Sequence, residues 1–385
     1  MTETLLVITR ENLETGLRGY PVGYCTTSSV DPNKGLTYVG KPVQDLAERK
    51  PEEVIYLLFT GREGSPPEIE AFKKELQKRA PLHPDARKYI QALPKVGHPM
   101  KLFTNALLIS GMFEGVGDYR EDCLNLIAKI PEIAATVINF HAGWNVNFHS
   151  KPELGYMENF TQMLQVPGAH KEDLGHVFKL FNILHFDHGG GNLSAFVGKA
   201  VASGLEDMYG SMASAMCALA GPRHGRANQE CLQFVEKVLK DLGPDSTPAD
   251  VENYLRKLLS NNELIFGFGH AVLRVEDPRA TFLYEVAQKR YPNHPLVKMT
   301  QLLRTVGPIV LGENPKISDP YPNVDAISGT LLSVAGFPYP QYFTILFGLA
   351  RVVGIGIQIV YERLEAREGK GTPIVRPKYL FKARE

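Results

Sequence analysis

The sequence predicts a mainly α-helical protein, and three observations carry that expectation. Apolar residues recur at spacings of three and four along most of the chain, as in Pro67 to Ala80, where Ile69, Phe72 and Leu76 share one face. Helix punctuation is frequent: Pro51-Glu52-Glu53 opens a segment that Gly61 closes. Strand patterns are scarce after the first forty residues.

Taken in order, the stretch GLRGYPVGYCTTSSVDPNKGLTYVG (16–40) mixes β-branched residues with Gly and Pro turns and reads as short strands or loops. Helices are then expected at 51–60, 67–80, 84–92, 99–114, 119–140, 173–184, 192–208 and 211–220. The C-terminal half continues with 226–241, 248–260, 278–290, 295–305 and a long apolar helix at 341–364. Breaks rich in Gly and Pro fall at Gly221–Gly225, Gly267–Gly269 and Asn314–Asn323, and they bracket a segment of roughly 222–336. A hinged subdomain and ordinary loops between helices fit this composition equally well.

The 385 residues are ample for a large core without disulfide or metal staples. Forty-two basic residues balance forty-two acidic ones, so a nucleic-acid or anionic-membrane binder is not expected. Ordinary apolar content excludes general disorder. The four cysteines, Cys25, Cys123, Cys217 and Cys231, form no CxxC pair, and a reduced, cytoplasmic setting is expected. No signal or transit peptide is visible in MTETLLVITRENLETG. Tyr342 to Tyr361 is long enough to span a membrane, but Arg351 in its middle costs about 2.5–3.5 kcal/mol on insertion. A buried helix is the better reading, and its central cation calls for an anion.

Three segments set a histidine beside glycines at a helix boundary: His185-Phe186-Asp187-His188-Gly189-Gly190-Gly191-Asn192, Gly221-Pro222-Arg223-His224-Gly225-Arg226 and Gly267-Phe268-Gly269-His270 through Arg274. Glycine admits a ligand close to the backbone, and helix starts offer free N–H groups to anions. One such histidine is more often structural; three point to a shared site. Asp325, in Pro322-Asn323-Val324-Asp325-Ala326, is either a helix N-cap or, if buried, a general base of raised pKa. Arg274, Arg351 and Arg376 either form salt bridges or clamp a small polycarboxylate, since an unpaired buried guanidinium costs several kcal/mol. A zinc site is disfavoured: His185 and His188 have i, i+3 spacing, but no HExxH occurs and glycines follow. His188-Gly189-Gly190-Gly191 matches an esterase oxyanion loop, yet no GxSxG accompanies it. No GxxxxGK[ST] phosphate loop is present.

The motifs LHFDHGGGN, GPRHGRANQE, GFGHAVLRVEDPRA and PNVDAISG, with LFGLAR and VRPK near the end, resemble the citrate synthase family from about Gly16 to Lys378. The GHAVLR form is similar to that of the mitochondrial members. The resemblance implies a multi-helical fold with a large domain begun by residues 1–225, a small CoA-binding, closing domain at 226–336, and a return with a C-terminal arm at 337–385. It implies a homodimeric acyltransferase of the tricarboxylic acid cycle that joins acetyl-CoA to oxaloacetate and hydrolyses citryl-CoA. No metal and no tightly bound cofactor is expected; the coenzyme A thioester is a substrate.

Residue by residue, the resemblance makes Asp325 the base for the methyl proton, His224 the donor to the enol oxygen and His270 the group that polarises the ketone. His188, Arg274 and Arg351 would hold oxaloacetate, with Arg376 reaching across from the partner subunit. Gly267, Phe268, Gly269, Lys316 and Asn323 would contact coenzyme A. The chain departs from the family pattern at Arg223, where Leu is usual, at Ile327 and Phe196, where His occurs, and in the added charge of Arg226. The same residues would serve a 2-methylcitrate synthase using propionyl-CoA, where one methylene is worth only about 1–3 kcal/mol. A citryl-CoA-cleaving relative and a catalytically dead member are lesser alternatives; the full set of site residues argues against the latter.

Overall fold

The computed structural model describes residues 4–384; residues 1–3 and 385, at the ends of the first and last expected segments, lie outside it. The first ordered feature is a three-stranded antiparallel sheet, β1 (Ser28–Asp31), β2 (Gly35–Tyr38) and β3 (Lys41–Pro42), with Ser28 opposite Tyr38. The Asp31 carboxylate closes its turn by accepting the backbone N–H groups of Asn33 and Lys34 at 2.8 and 2.9 Å. Gly35 then turns the chain at φ +89°.

Helices follow: α1 (Val43–Leu46), α2 (Pro51–Thr60), α3 (Pro66–Arg79), α4 (Pro84–Ile90), α5 (Met100–Glu114), α6 (Tyr119–Ala142), α7 (Tyr156–Met163) and α8 (Lys171–His185). The second half holds α9 (Leu193–Ala202), α10 (Met208–Leu219), α11 (Ala227–Leu242), α12 (Pro248–Ser260), α13 (Pro278–Arg290), α14 (Pro295–Gly312), α15 (Asp325–Val334) and α16 (Phe343–Val360). Proline in the first turn starts α2, α3, α4, α12, α13 and α14. Side chains of Asp118, Asn192, Asp207, Thr247 and Asp277 cap α6, α9, α10, α12 and α13 by accepting free N–H groups.

Three details differ from the sequence reading. The helix expected at 192–208 stops at Ala202, because Leu205 turns left-handed (φ +70°) and Asp207 caps a new helix. α7 was not anticipated: its eight residues are short, and Glu158 secures its start by accepting the Gly155 N–H at 2.7 Å. α14 runs on to Gly312 through Pro308.

α6 and α16 form the centre of the main core, and nearly every residue of α16 is buried. Both are apolar enough to cross a membrane by length and composition, yet 83% and 94% of their apolar windows lie inside the protein. A second, separate apolar core gathers Phe234, Val235 and Val238 of α11, Val251, Leu255 and Leu258 of α12, and Met299, Leu303, Val306 and Val310 of α14. α13, between α12 and α14 in sequence, and α15, just after α14, instead bury Ala280, Leu283, Ile327 and Leu331 in the main core.

Candidate active site

The α8–α9 loop carries His188 and is fixed from below. The neighbouring Asp187 is fully buried, and its carboxylate accepts hydrogen bonds from Thr27 (2.5 Å), Ser28 (2.7 Å) and Gln358 of α16 (2.8 Å). Ser28 also accepts the Gly189 N–H at 2.7 Å, and Tyr38 of β2 donates to the Ile183 carbonyl at 2.9 Å. The small sheet thus braces the loop. His188 Nε2 is buried without a hydrogen-bond partner among the described residues, and its ring lies 5.2 Å from that of His270 at 63°. Burial, with Arg279, Arg351 and His270 nearby, holds its pKa well below the usual histidine value. His185, one turn earlier, is a core residue: it stacks on Phe181 and hydrogen-bonds the Phe181 carbonyl.

Arg351 lies within α16, 2% exposed. Its Nε donates to the His185 carbonyl at 3.2 Å and its guanidinium sits 4.6 Å from the Phe347 ring centre. Among the described residues no carboxylate pairs with it. Burial lowers its pKa to about 10. A buried cation with one neutral hydrogen bond is poised for an anion.

His224 lies three residues before α11, and its ring faces Phe347 at 6.2 Å. The Ser194 backbone N–H approaches Nε2 at 3.3 Å and the Ser194 hydroxyl lies at 2.8 Å. A backbone N–H can only donate, so Nε2 accepts and the neutral ring carries its proton on Nδ1. Burial, then Arg351, pushes the His224 pKa down to about 4. His270 shows the opposite tautomer. Its Nδ1 accepts from the backbone N–H groups of Val272 and Leu273, both at 3.0 Å, which leaves the proton on Nε2. Burial also lowers its pKa to about 4. Both rings are therefore neutral donors at pH 7.

Asp325 is not an N-cap. Asn323 takes that work: its Oδ1 accepts the Asp325 N–H at 3.0 Å and its Nδ2 donates to the Gly269 carbonyl at 3.0 Å. The Asp325 carboxylate is left without a hydrogen bond among the described residues. Burial raises its pKa to about 6, against the pull of Arg279 and Arg351. The 319–325 segment and the glycine turn are joined by backbone bonds, Gly269 N–H to the Tyr321 carbonyl and Asn323 N–H to the Gly267 carbonyl, both 2.9 Å. Gly267 (φ +86°) is needed there, because a Cβ would meet Ala326 Cα at 2.9 Å.

The remaining expected residues fall into distinct places. Arg274 is exposed and folds onto its own loop, donating to the Val272 carbonyl at 3.0 Å. Arg279, which the sequence reading did not single out, is 3% exposed and pairs with Asp277 at 2.7 Å. Its charge acts on His188, His270 and Asp325 alike. The signal lay in the same motif, five residues beyond Arg274. Phe268 packs on Gly307 of α14, and Lys316 is exposed in a turn. Arg376 lies on the extended, exposed tail and is not brought to this chain's own site. Arg223 is exposed, and Arg226 lies 3.7 Å from Glu230. Ser194 was also missed; a serine inside an apolar helix start gives no sequence signal of its own. Among the described residues no three His, Cys, Asp or Glu side chains gather as a metal site.

Two neutral imidazoles with fixed tautomers, a carboxylate of raised pKa and an unneutralised arginine define a helical enzyme with acid–base groups set around an anion-binding position. The family model for the citrate synthase C-terminal domain matches residues 16–378. The chain is 36% identical over 387 residues to citrate synthase 4, mitochondrial, of Arabidopsis thaliana, covering 94% of this chain and 80% of the relative. It is 34% identical over 399 residues to the mitochondrial citrate synthase of Xiphias gladius, covering 97% and 83%. The crystal structure of citrate synthase from Thermotoga maritima superposes with a TM-score of 0.82 at 27% identity, covering 97% and 96% of the two chains. A ternary complex of the Thermoplasma acidophilum citrate synthase with carboxymethyl coenzyme A and oxaloacetate gives 0.81 at 25%, covering 96% of each. The chain belongs to the citrate synthase family, and it is an acyltransferase.

Proposed function

We propose that this enzyme condenses acetyl-CoA with oxaloacetate and hydrolyses the resulting citryl-CoA to citrate and CoA. The observation that carries the reading is the protonation pattern: one carboxylate ready to accept a proton and two neutral imidazoles with N–H groups to give. Asp325 takes a proton from the acetyl methyl group while His224 Nδ1–H hydrogen-bonds the thioester oxygen. Without such a donor a carboxylate removes that proton slowly; each well-placed donor lowers the barrier by roughly 3–4 kcal/mol. The enol carbon attacks the oxaloacetate ketone, whose oxygen is polarised by His270 Nε2–H. Water then cleaves the thioester.

His188 and Arg351 hold oxaloacetate, and burial beside them favours Arg279 over Arg274 as the further clamp. Arg376 of a partner subunit completes the site in a homodimer, which suits its exposed position here. An open groove of about 360 Å³, lined by Glu230, Phe234, Lys237, Glu263 and Phe266 among others, ends in sequence at the residue before Gly267, and in this reading coenzyme A lies near that turn. Arg274, Lys316 and the glycine-turn backbone would supply polar contacts to it in this reading, since the Asn323 amide is already engaged. The ternary complex of the archaeal relative supports this pair of substrates. Four free cysteines suit a reducing compartment, and we place the enzyme in the cytoplasm.

The test is thiol release with oxaloacetate, comparing acetyl-CoA and propionyl-CoA. Faster release with acetyl-CoA is expected; a preference for propionyl-CoA would reassign the enzyme to 2-methylcitrate synthesis with the same residues, and no release with either would overturn the reading.

A further inference from the structure

α9 begins at the His188 loop and ends beneath the C-terminal arm. Asn192 caps its first turn, and Ser194 holds His224. Lys199, in its middle, is a buried lysine whose ammonium lies 3.1 Å from the Glu362 carboxylate; their side chains are 9% and 14% exposed. This ammonium packs directly against Gly190 of the His188 loop: a Cβ on Gly190 would stand 2.8 Å from Lys199 Nζ and 3.2 Å from Gln358 Oε1. Glu362 sits in the π-helical turn Tyr361–Glu365 that ends α16, and its carbonyl accepts the Thr372 N–H at 2.8 Å. Arg363 also donates to Thr372. Ser203, just past the last turn of α9, accepts the Val375 N–H at 2.9 Å, one residue before Arg376. One helix therefore touches both the loop under His188 and the root of the arm that presents Arg376.

We propose that Lys199 and Glu362 are positioning residues for oxaloacetate binding: their buried ion pair fixes the Gly189–Gly191 loop to the base of the C-terminal arm through α9. The inference rests on the reading of His188 and Arg376 as oxaloacetate ligands. Burying an ion pair is a poor way to gain stability, because an apolar pair of similar volume is often as good. A pair that serves position rather than stability is therefore separable by replacing both members.

The experiment is the double variant Lys199→Met, Glu362→Leu in the full chain, with two readouts. Its thermal transition should stay near that of the wild type, while KM for oxaloacetate rises roughly tenfold and KM for acetyl-CoA is unchanged, since small misplacements of binding groups cost affinity selectively. Hydrogen exchange in the ligand-free protein should quicken at the amides of Gly189 and Val375 together. Wild-type KM and wild-type exchange in a folded double variant would overturn the proposal. If the wild type itself released no thiol, the function reading would fall by that result, and exchange at the two amides would still decide the role of the pair. Should the double variant not fold, Glu362→Gln, which keeps size and an accepting oxygen, is read by the same exchange: joint quickening supports the link, and an unchanged pattern rejects it.

Discussion

The side of the site formed by α8, α9 and α16 is held by buried side chains, whereas the side formed by residues 267–277 and 319–325 is held by backbone bonds. On the first, Asp187 gathers Thr27, Ser28 and Gln358, and Arg351 is locked within the core. On the second, the glycine turn and the Asp325 segment bond mainly to each other, with Arg274 N–H to the Pro32 carbonyl (2.8 Å) as a tie to the sheet region. The difference teaches a division of labour. The first side supplies fixed positive charge and costly burial; the second supplies a base whose pKa burial raises and a donor whose tautomer is set by local backbone contacts. His224 belongs with the first side, through Ser194 and Phe347.

The largest effect should come from the second side. Asp325→Asn removes the base and should lower kcat by about 10³–10⁴, toward the upper range for general-base removal, with oxaloacetate affinity by calorimetry nearly unchanged. Retention of kcat within a factor of ten would end the base assignment. Next comes the first side: Arg351→Met should raise KM for oxaloacetate by about a hundredfold, the scale of a lost charged contact of 2–3 kcal/mol. Its thermal stability should hold or improve, because among the described residues the guanidinium has no carboxylate partner to lose. A large fall in melting temperature would instead make Arg351 a structural residue and dissolve the contrast.

Ser194→Ala tests how the first side orients its own donor, freeing the His224 ring; a loss of about tenfold in kcat with unaltered KM values is expected from imperfect donor geometry. Equal losses in kcat and in oxaloacetate affinity would place Ser194 in binding instead. The smallest effect is the pH response. With Asp325 near 6 in the free enzyme, above the usual carboxylate value, kcat/KM should rise with pH and reach half its plateau near pH 6. His224 and His270, depressed to about 4, add no further limb above that. The same raised pKa means that native protein binds more protons than unfolded chain between about 4 and 6, so this group's contribution to stability falls as pH rises through that window. Asp325→Asn should remove that fall, and chemical denaturation at pH 5 and 8 reads it directly.

Much of the fold was legible because helix signals are local: proline starts, acidic caps and three–four spacing act within a few residues. Local rules misjudged the turn after Ala202, and they gave no warning of α7, whose eight residues draw support from Glu158 and from packing on α6 and α8. The histidine–glycine motifs and Asp325 were legible as a group because glycine beside a polar residue marks a close backbone approach. Arg279 was passed over for Arg274, since two arginines in one loop differ only in which way the chain turns them.

The sequence by itself determined that this is a helical protein, that its polar groups cluster in a few glycine-flanked motifs, and that these resemble one enzyme family. Only the tertiary structure decided the protonation states. A histidine in a sequence has two tautomers and an ordinary pKa. Backbone N–H groups of Ser194, Val272 and Leu273, brought against specific ring nitrogens, choose between the tautomers. Burial among distant segments then moves two imidazoles and one carboxylate away from their values in water. Desolvation depends on what surrounds a group from every side, and no single stretch of chain carries that information.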